Sequence, residues 1–144
     1  MFRHLLAASA LSLAATAQSA APEWTLVAEA QPSAAYIDRL SVTSNADTKG
    51  VWVLRNYAET ISLGNDPVTG MAWYPHRSVK VLYTVDCMAG RVALGAWQMY
   101  SGNFANGEIV WADKHHGLPA FSKPFVAEET AAIDAACGAK TALR

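Results

Sequence analysis

The alternation of apolar and polar positions is cleanest from Ser78 to Cys87. Val79, Val81, Tyr83, Val85 and Cys87 share one side, and Ser78, Lys80, Thr84 and Asp86 the other, with Leu82 as the exception. A period of two predicts a strand with one face on a core and the other in water. Val51 to Tyr57 is β-branched and aromatic and predicts another strand. Upstream, Trp24, Leu26 and Ala28 alternate with Thr25 and Val27 in a strand over Glu23 to Glu29. Tyr36-Ile37-Asp38 and Ser41-Val42-Thr43 read as short extended pieces, and Ser44 to Gly50 as a polar turn. Downstream, Met88-Ala89-Gly90 makes a hairpin turn into a strand over Arg91 to Tyr100. Asn106-Gly107 turns the chain again into Glu108 to Asp113, with Ile109 and Trp111 on one side. Ile61 to Pro75, with Gly64, Asn65, Asp66, Pro67 and Gly70, reads as a long surface loop, and His115 to Phe125 as another loop.

Near the end the period changes. Val126, Thr130, Ile133 and Cys137 form one stripe of a helix, with Glu128, Glu129 and Asp134 off it. The two glutamates suit the positive end of the helix dipole, and Gly138 sits where a C-cap glycine belongs. The start carries a weak N-cap signal, since Ser122 has no glutamate three residues on. The architecture predicted is α+β: an antiparallel sheet of about six strands with a C-terminal helix packed on one face.

The first residues stand apart from this domain. Arg3 and His4 precede an uncharged Leu- and Ala-rich run from Leu5 to Ala17, ending in Ala15-Thr16-Ala17. Basic start, short apolar run and small-residue cleavage pattern are those of a secretory signal peptide, so we expect a leader over 1–17 and a single domain over 18–144. No cysteine lies near the cleavage point, so no lipid anchor is expected. Export changes how Cys87 and Cys137 are read. An even count in an oxidising compartment points to one disulfide. Cys137 lies on the apolar helix stripe and Cys87 on the apolar face of the clearest strand, so a Cys87–Cys137 bridge would tether the helix across that face.

Composition narrows the function classes. The 144 residues carry 12 acidic and 11 basic side chains, a formal net charge of −1, with 52% hydrophobic and 16% charged residues. That is enough apolar material for one core. The balance argues against nucleic-acid binding, which needs a basic excess, and no apolar run reaches the ~20 residues of a membrane span.

Several segments together resemble the surface-adhesin protein E family. They are Tyr36-Ile37-Asp38, Val51 to Tyr57, Arg77 to Cys87, Tyr100-Ser101-Gly102-Asn103, Gly107-Glu108-Ile109-Val110 and the closing Ala135-Ala136-Cys137. The match runs in order over residues 23–138, and the most specific part is S-x-K-x-x-Y-x-x-D-C with a final helix ending in Cys. The resemblance implies a bent antiparallel sheet with a disulfide-tethered C-terminal helix. It also implies an exported bacterial protein, in some members lipidated and displayed to bind host proteins. This chain lacks the acceptor cysteine of the lipidated pattern.

Candidate chemistry is sparse. The chain has no G-x-S-x-G, P-loop, S-x-x-K or H-E-x-x-H pattern, and a bridged Cys87 is no nucleophile. Asp113 and His115 share a side of an extended segment, with His116 opposite, and His76 is the further histidine to join them at a metal. The mixed charges of Asp113-Lys114-His115-His116 look instead like an exposed turn, and we assign no metal or cofactor. Arg55, Arg77 and Lys80 would suit an acidic groove ligand, although charges on the wet face of a sheet are ordinary. Trp24, Trp52, Trp97 and Trp111 fall in strands and belong to the core or a sheet face. Met71, Trp73 and Tyr74 fall in the loop after Ile61, where an exposed cluster would suit a protein partner or a homodimer contact. The leading reading is a non-enzymatic exported binding domain of the protein E type, in the periplasm, secreted or at the cell surface. Its alternatives are a soluble periplasmic accessory protein without adhesion, and a small metal-binding or enzymatic domain.

Overall fold

The computed structural model describes residues 22–114 and 118–138. The leader expected over 1–17 and the pair His115 and His116 lie outside these residues. In chain order the elements are β1 (Trp24–Ala30), β2 (Ser33–Asp38), β3 (Thr43–Asn45), β4 (Thr48–Ile61), β5 (Gly64–Asn65), β6 (Ala72–Trp73), β7 (His76–Asp86), β8 (Arg91–Tyr100), β9 (Ile109–Lys114) and α1 (Ala127–Cys137). The main sheet is antiparallel and seven-stranded. Its order is β1-β2-β4-β7-β8-β9, with β3 sharing an edge of β4, and β5 and β6 form a separate two-stranded hairpin.

The strand at Ser78 to Cys87 behaves as its period demands, with Val79, Val81, Tyr83 and Val85 buried. They meet Val51 and Val53 of β4, Ala35 and Ile37 of β2, and Val92 and Met99 of β8 in one core. The polar turn expected over Ser44 to Gly50 shrinks to Ala46-Asp47, because Thr43–Asn45 and Thr48–Gly50 pair as a ladder whatever their side chains.

Three expectations about faces fail because of local irregularities. In β1 a bulge between Leu26 and Ala28 turns Val27 toward the core and leaves Leu26 exposed. In β9, Val110 is the extra residue, so Ile109 opposes Tyr100 while Trp111 opposes Met99, and the two fall on opposite faces. Ser78, assigned to the wet face, is buried, where its hydroxyl donates to Gly102 O (2.6 Å) and accepts from Ala105 N–H (3.0 Å). That contact moors a loop far wider than a two-residue Asn-Gly hairpin. Ser101 N–H donates to Glu108 O (3.0 Å), and Gly107 takes φ +80° where a Cβ would run into Ser101 Oγ.

The helix also sits rotated from its expected stripe. Glu128, Ala132, Ile133 and Ala136 are buried, while Val126 and Thr130 are exposed. Alanines let the helix lie close to the sheet, and Glu128 is admitted because Arg55 of β4 forms an ion pair with it. Burial alone would lower the Arg55 pKa, but the Glu128 carboxylate more than offsets that and holds it above its ordinary value. Tyr83 adds its hydroxyl, donating to Glu128 Oε1 at 3.2 Å. Val126 has no side-chain acceptor, so Glu129 reaches back to accept from Phe125 N–H (2.7 Å) and Val126 N–H (3.4 Å). At the other end Cys137 is bonded to Cys87 across a Cα–Cα distance of 5.5 Å, and Lys49 Nζ donates to Ala136 O (2.7 Å). Gly138 comes next with φ +78°.

This docking generates two expected outcomes. Replacing both cysteines (Cys87→Ser with Cys137→Ser) is expected to lower unfolding free energy by about 4 kcal/mol, the loop-closure value for a bridge of this span. Urea titration measures it, and an unchanged midpoint would show that the helix is held without its tether. The Tyr83 phenol is raised above its ordinary 10.0 by burial first and by the charge of Glu128 next. Its contribution is complete below pH about 10 and is lost as pH rises past the unfolded value toward the folded one. Tyr83→Phe should therefore flatten the alkaline limb of the stability profile, and an unaltered limb would assign the loss to other groups.

Candidate protein-binding surface

The segment from Ile61 to Pro75 is not the irregular loop its turn residues suggest. Its ends pair through Leu63 N–H to Trp73 O (3.0 Å) and Asp66 N–H to Met71 O (2.7 Å). At the tip, Asp66 Oδ1 accepts from Val68 N–H (2.9 Å), Thr69 N–H (2.7 Å) and the Thr69 hydroxyl (3.0 Å). These donors, Thr69 N–H foremost, hold the Asp66 carboxyl below the usual carboxylate range. The result is a short hairpin with a preformed tip.

Its base is fastened to the sheet through Tyr74. The Tyr74 backbone sits at φ +50°, and its carbonyl accepts from Nδ1 of His76 at 2.7 Å. His76 is 1% exposed, with its ring against Tyr57 at a centroid distance of 5.7 Å. The Tyr74 ring lies 6.0 Å from Trp111, which stands edge-on to Trp97 at 4.8 Å. Tyr74 thus anchors the hairpin as well as bordering solvent.

The rest of the hairpin projects its apolar side chains outward. Met71 is 70% exposed, Trp73 47% and Tyr74 44%. Leu63 and Val68 are exposed on the same hairpin and enlarge the apolar cluster beyond the three residues expected from the sequence. Their signal was present: two apolar residues inside a run of Gly, Asn, Asp and Pro have no strand face to bury against. Contiguous apolar surface of this kind marks interaction sites.

The other candidates do not assemble. Arg55 opposes Val79, on the helix side, while Lys80 opposes Leu54, on the other face, with its ammonium 4.7 Å from the centroid of the Trp52 ring. Arg77 Nη2 donates to Ala58 O (2.8 Å). Strand parity puts Lys80 on the face opposite Arg55, and Arg77 is engaged by Ala58 O, so the three cations do not form one groove. Of the metal candidates, His76 is buried against Tyr57 and Tyr74, while Asp113 is exposed on β9. Among the described residues no cluster of His, Cys, Asp and Glu could hold a metal ion, and no helix is long and apolar enough to cross a membrane.

An antiparallel sheet, a helix bonded to it by a disulfide, and an apolar hairpin fastened at its base define a small disulfide-tethered α+β domain. The surface-adhesin protein E family model matches residues 24–138, and the chain belongs to that family. Two solved structures of Haemophilus influenzae protein E share its fold with a TM-score of 0.53 and 16% identity. One, crystal form II, aligns over 90% of this chain and 99% of that one, and the other over 88% and 93%. No curated protein sequence gives a significant match.

The two faces of the hairpin base make opposite demands on mutation. Trp73→Ala removes an exposed ring and should change stability by no more than about 0.5 kcal/mol. Trp111→Ala removes the ring that touches both Tyr74 and Trp97 and should lower the melting temperature clearly. A larger loss for Trp73→Ala than for Trp111→Ala would mean that the hairpin folds back onto the sheet.

Proposed function

We propose that this chain is an exported, non-enzymatic protein-binding domain that meets its partner through the β5–β6 hairpin, with Met71 and Trp73 as the anchoring side chains. The observation that carries this reading is the pairing of large exposed apolar residues with a rigid mount. Met71 and Trp73 face solvent while Tyr74, His76 and Trp111 hold the base beneath them. A preorganised aromatic anchor loses little freedom on binding, which is why Trp and Tyr dominate interface hot spots. Membership of the surface-adhesin protein E family supports a binding role. Export to the periplasm or beyond is supported by the leader pattern before residue 18 and by the disulfide, a bond that persists in oxidising compartments.

Site-specific photocrosslinking in the exporting cell tests this. A photoreactive residue at position 71 or 73 should give discrete protein adducts, while one at Met88, exposed on the β7–β8 turn, should not. An adduct at twice the chain mass would identify the partner as a second copy. Absence of adducts at 71 and 73, or equal yield at 88, would refute the hairpin as the contact surface.

A further inference from the structure

The sheet face turned away from α1 carries a cleft of about 830 Å³, within the range of small-molecule sites. One cross-strand row there runs Trp52, Leu82, Ala96 and Lys114 over β4, β7, β8 and β9, and the next runs Leu54, Lys80, Gln98 and Ala112. The floor is low because small residues occupy β8 and β9 and because Gly95 is a bulged residue, extra between Leu94 and Ala96. A Cβ at Gly95 would stand 3.2 Å from Leu82 O and 3.4 Å from Thr84 Oγ1, a tight fit that would push its neighbours by a few tenths of an ångström. Trp52 and Leu82 give the cleft an apolar side, and Lys114 borders it.

The charge around this cleft is unbalanced. Among the described residues the only ion pair is Arg55 with Glu128, on the opposite face. Neither Lys80 nor Lys114 has a carboxylate within ion-pairing distance. Lys80 stands over Trp52, in the row that also holds Gln98. Burial pulls its pKa below the ordinary lysine value, and attraction to Asp38 offsets only part of that. The Asp38 carboxylate accepts from Leu40 N–H (3.0 Å) and still attracts Lys80, which it partly compensates. Asp113 borders the cleft as well, but it opposes Trp97 and therefore directs its side chain to the helix side of the sheet. An apolar floor bordered at its β9 end by Lys114, an ammonium with no carboxylate in ion-pairing distance among the described residues, is complementary to an apolar body ending in a single negative charge.

We propose that this open-face cleft binds a small amphipathic carboxylate. Its apolar body lies on Leu82 and Ala96 toward Trp52, and its head is met by Lys114. The site is independent of the β5–β6 hairpin. The test is a titration of the isotopically labelled exported chain with octanoate and, separately, with 1-octanol, which has the same chain length and no charge. Octanoate should saturably shift the backbone amides of Gly95, Ala96, Gln98 and Lys114 and bind about five-fold tighter than octanol. Lys114→Met should remove that preference, Lys114→Arg should retain it, and Trp73→Ser should leave it unchanged. The proposal is overturned by equal affinity for octanoate and octanol, by no saturable shift with octanoate, by an undiminished preference in the methionine variant, or by shifts confined to residues 63–74.

Discussion

Glu128 is a carboxylate carried on the sheet-facing side of a short helix, and it can lie there only because Arg55 and Tyr83 meet it. That contact sets how α1 is rotated about its axis. With Glu128 turned inward, Ala132 and Ala136 lie on the same side, and Ile133 enters the core beside them. The disulfide then fixes the far end, so the helix is held at both termini by specific bonds, with small apolar side chains between them. Arg55 comes from β4 and Tyr83 and Cys87 from β7 and its end. These two strands form the longest ladder in the sheet, so the helix is clamped to its most extensively paired strands.

Covering one face leaves the other open. The helix seals the side on which Val51, Val53, Val81 and Val85 lie, while the opposite rows of the same strands keep Trp52, Leu82 and Lys80 partly in solvent. The edge of the sheet is managed locally. Where β9 does not reach, Ser122 pairs with Val92 through two hydrogen bonds of 2.9 Å and closes the exposed start of β8. The hairpin extends beyond this framework, tied down through Tyr74 at its base and through Asp66 at its tip. Its outward apolar residues are therefore held in place by contacts that do not use them.

Much of the frame was legible as pattern. The period of two over Val79 to Val85, the turn at Met88-Ala89-Gly90 and the glycine after Cys137 each reflect a local rule acting on neighbouring residues. The bridge between Cys87 and Cys137 was also legible, because two unrelated periodicities placed both thiols on apolar faces. Local rules failed where one extra residue changed the parity. Val27 and Val110 each switch the face on which the next strand residues lie, and nothing in their side chains distinguishes a bulge from a regular strand residue. The helix stripe failed for a different reason. An apolarity pattern counts glutamate as outward, and only a partner arriving from 73 positions away makes Glu128 an inward residue.

The sequence by itself determined the class of fold, the positions of the main strands and helix, the disulfide, and the presence of Met71, Trp73 and Tyr74 in a segment outside those elements, because each depends on residues close together in the chain. Only the tertiary structure decided that Tyr74 is the anchor among these side chains, since that turns on Trp111 and His76 lying against it. It also separated Arg55 from Lys80 onto opposite faces and assembled Trp52, Leu82, Ala96 and Lys114 into one row. Those neighbours come from four strands, and their proximity is a property of strand order and register that no stretch of the chain contains.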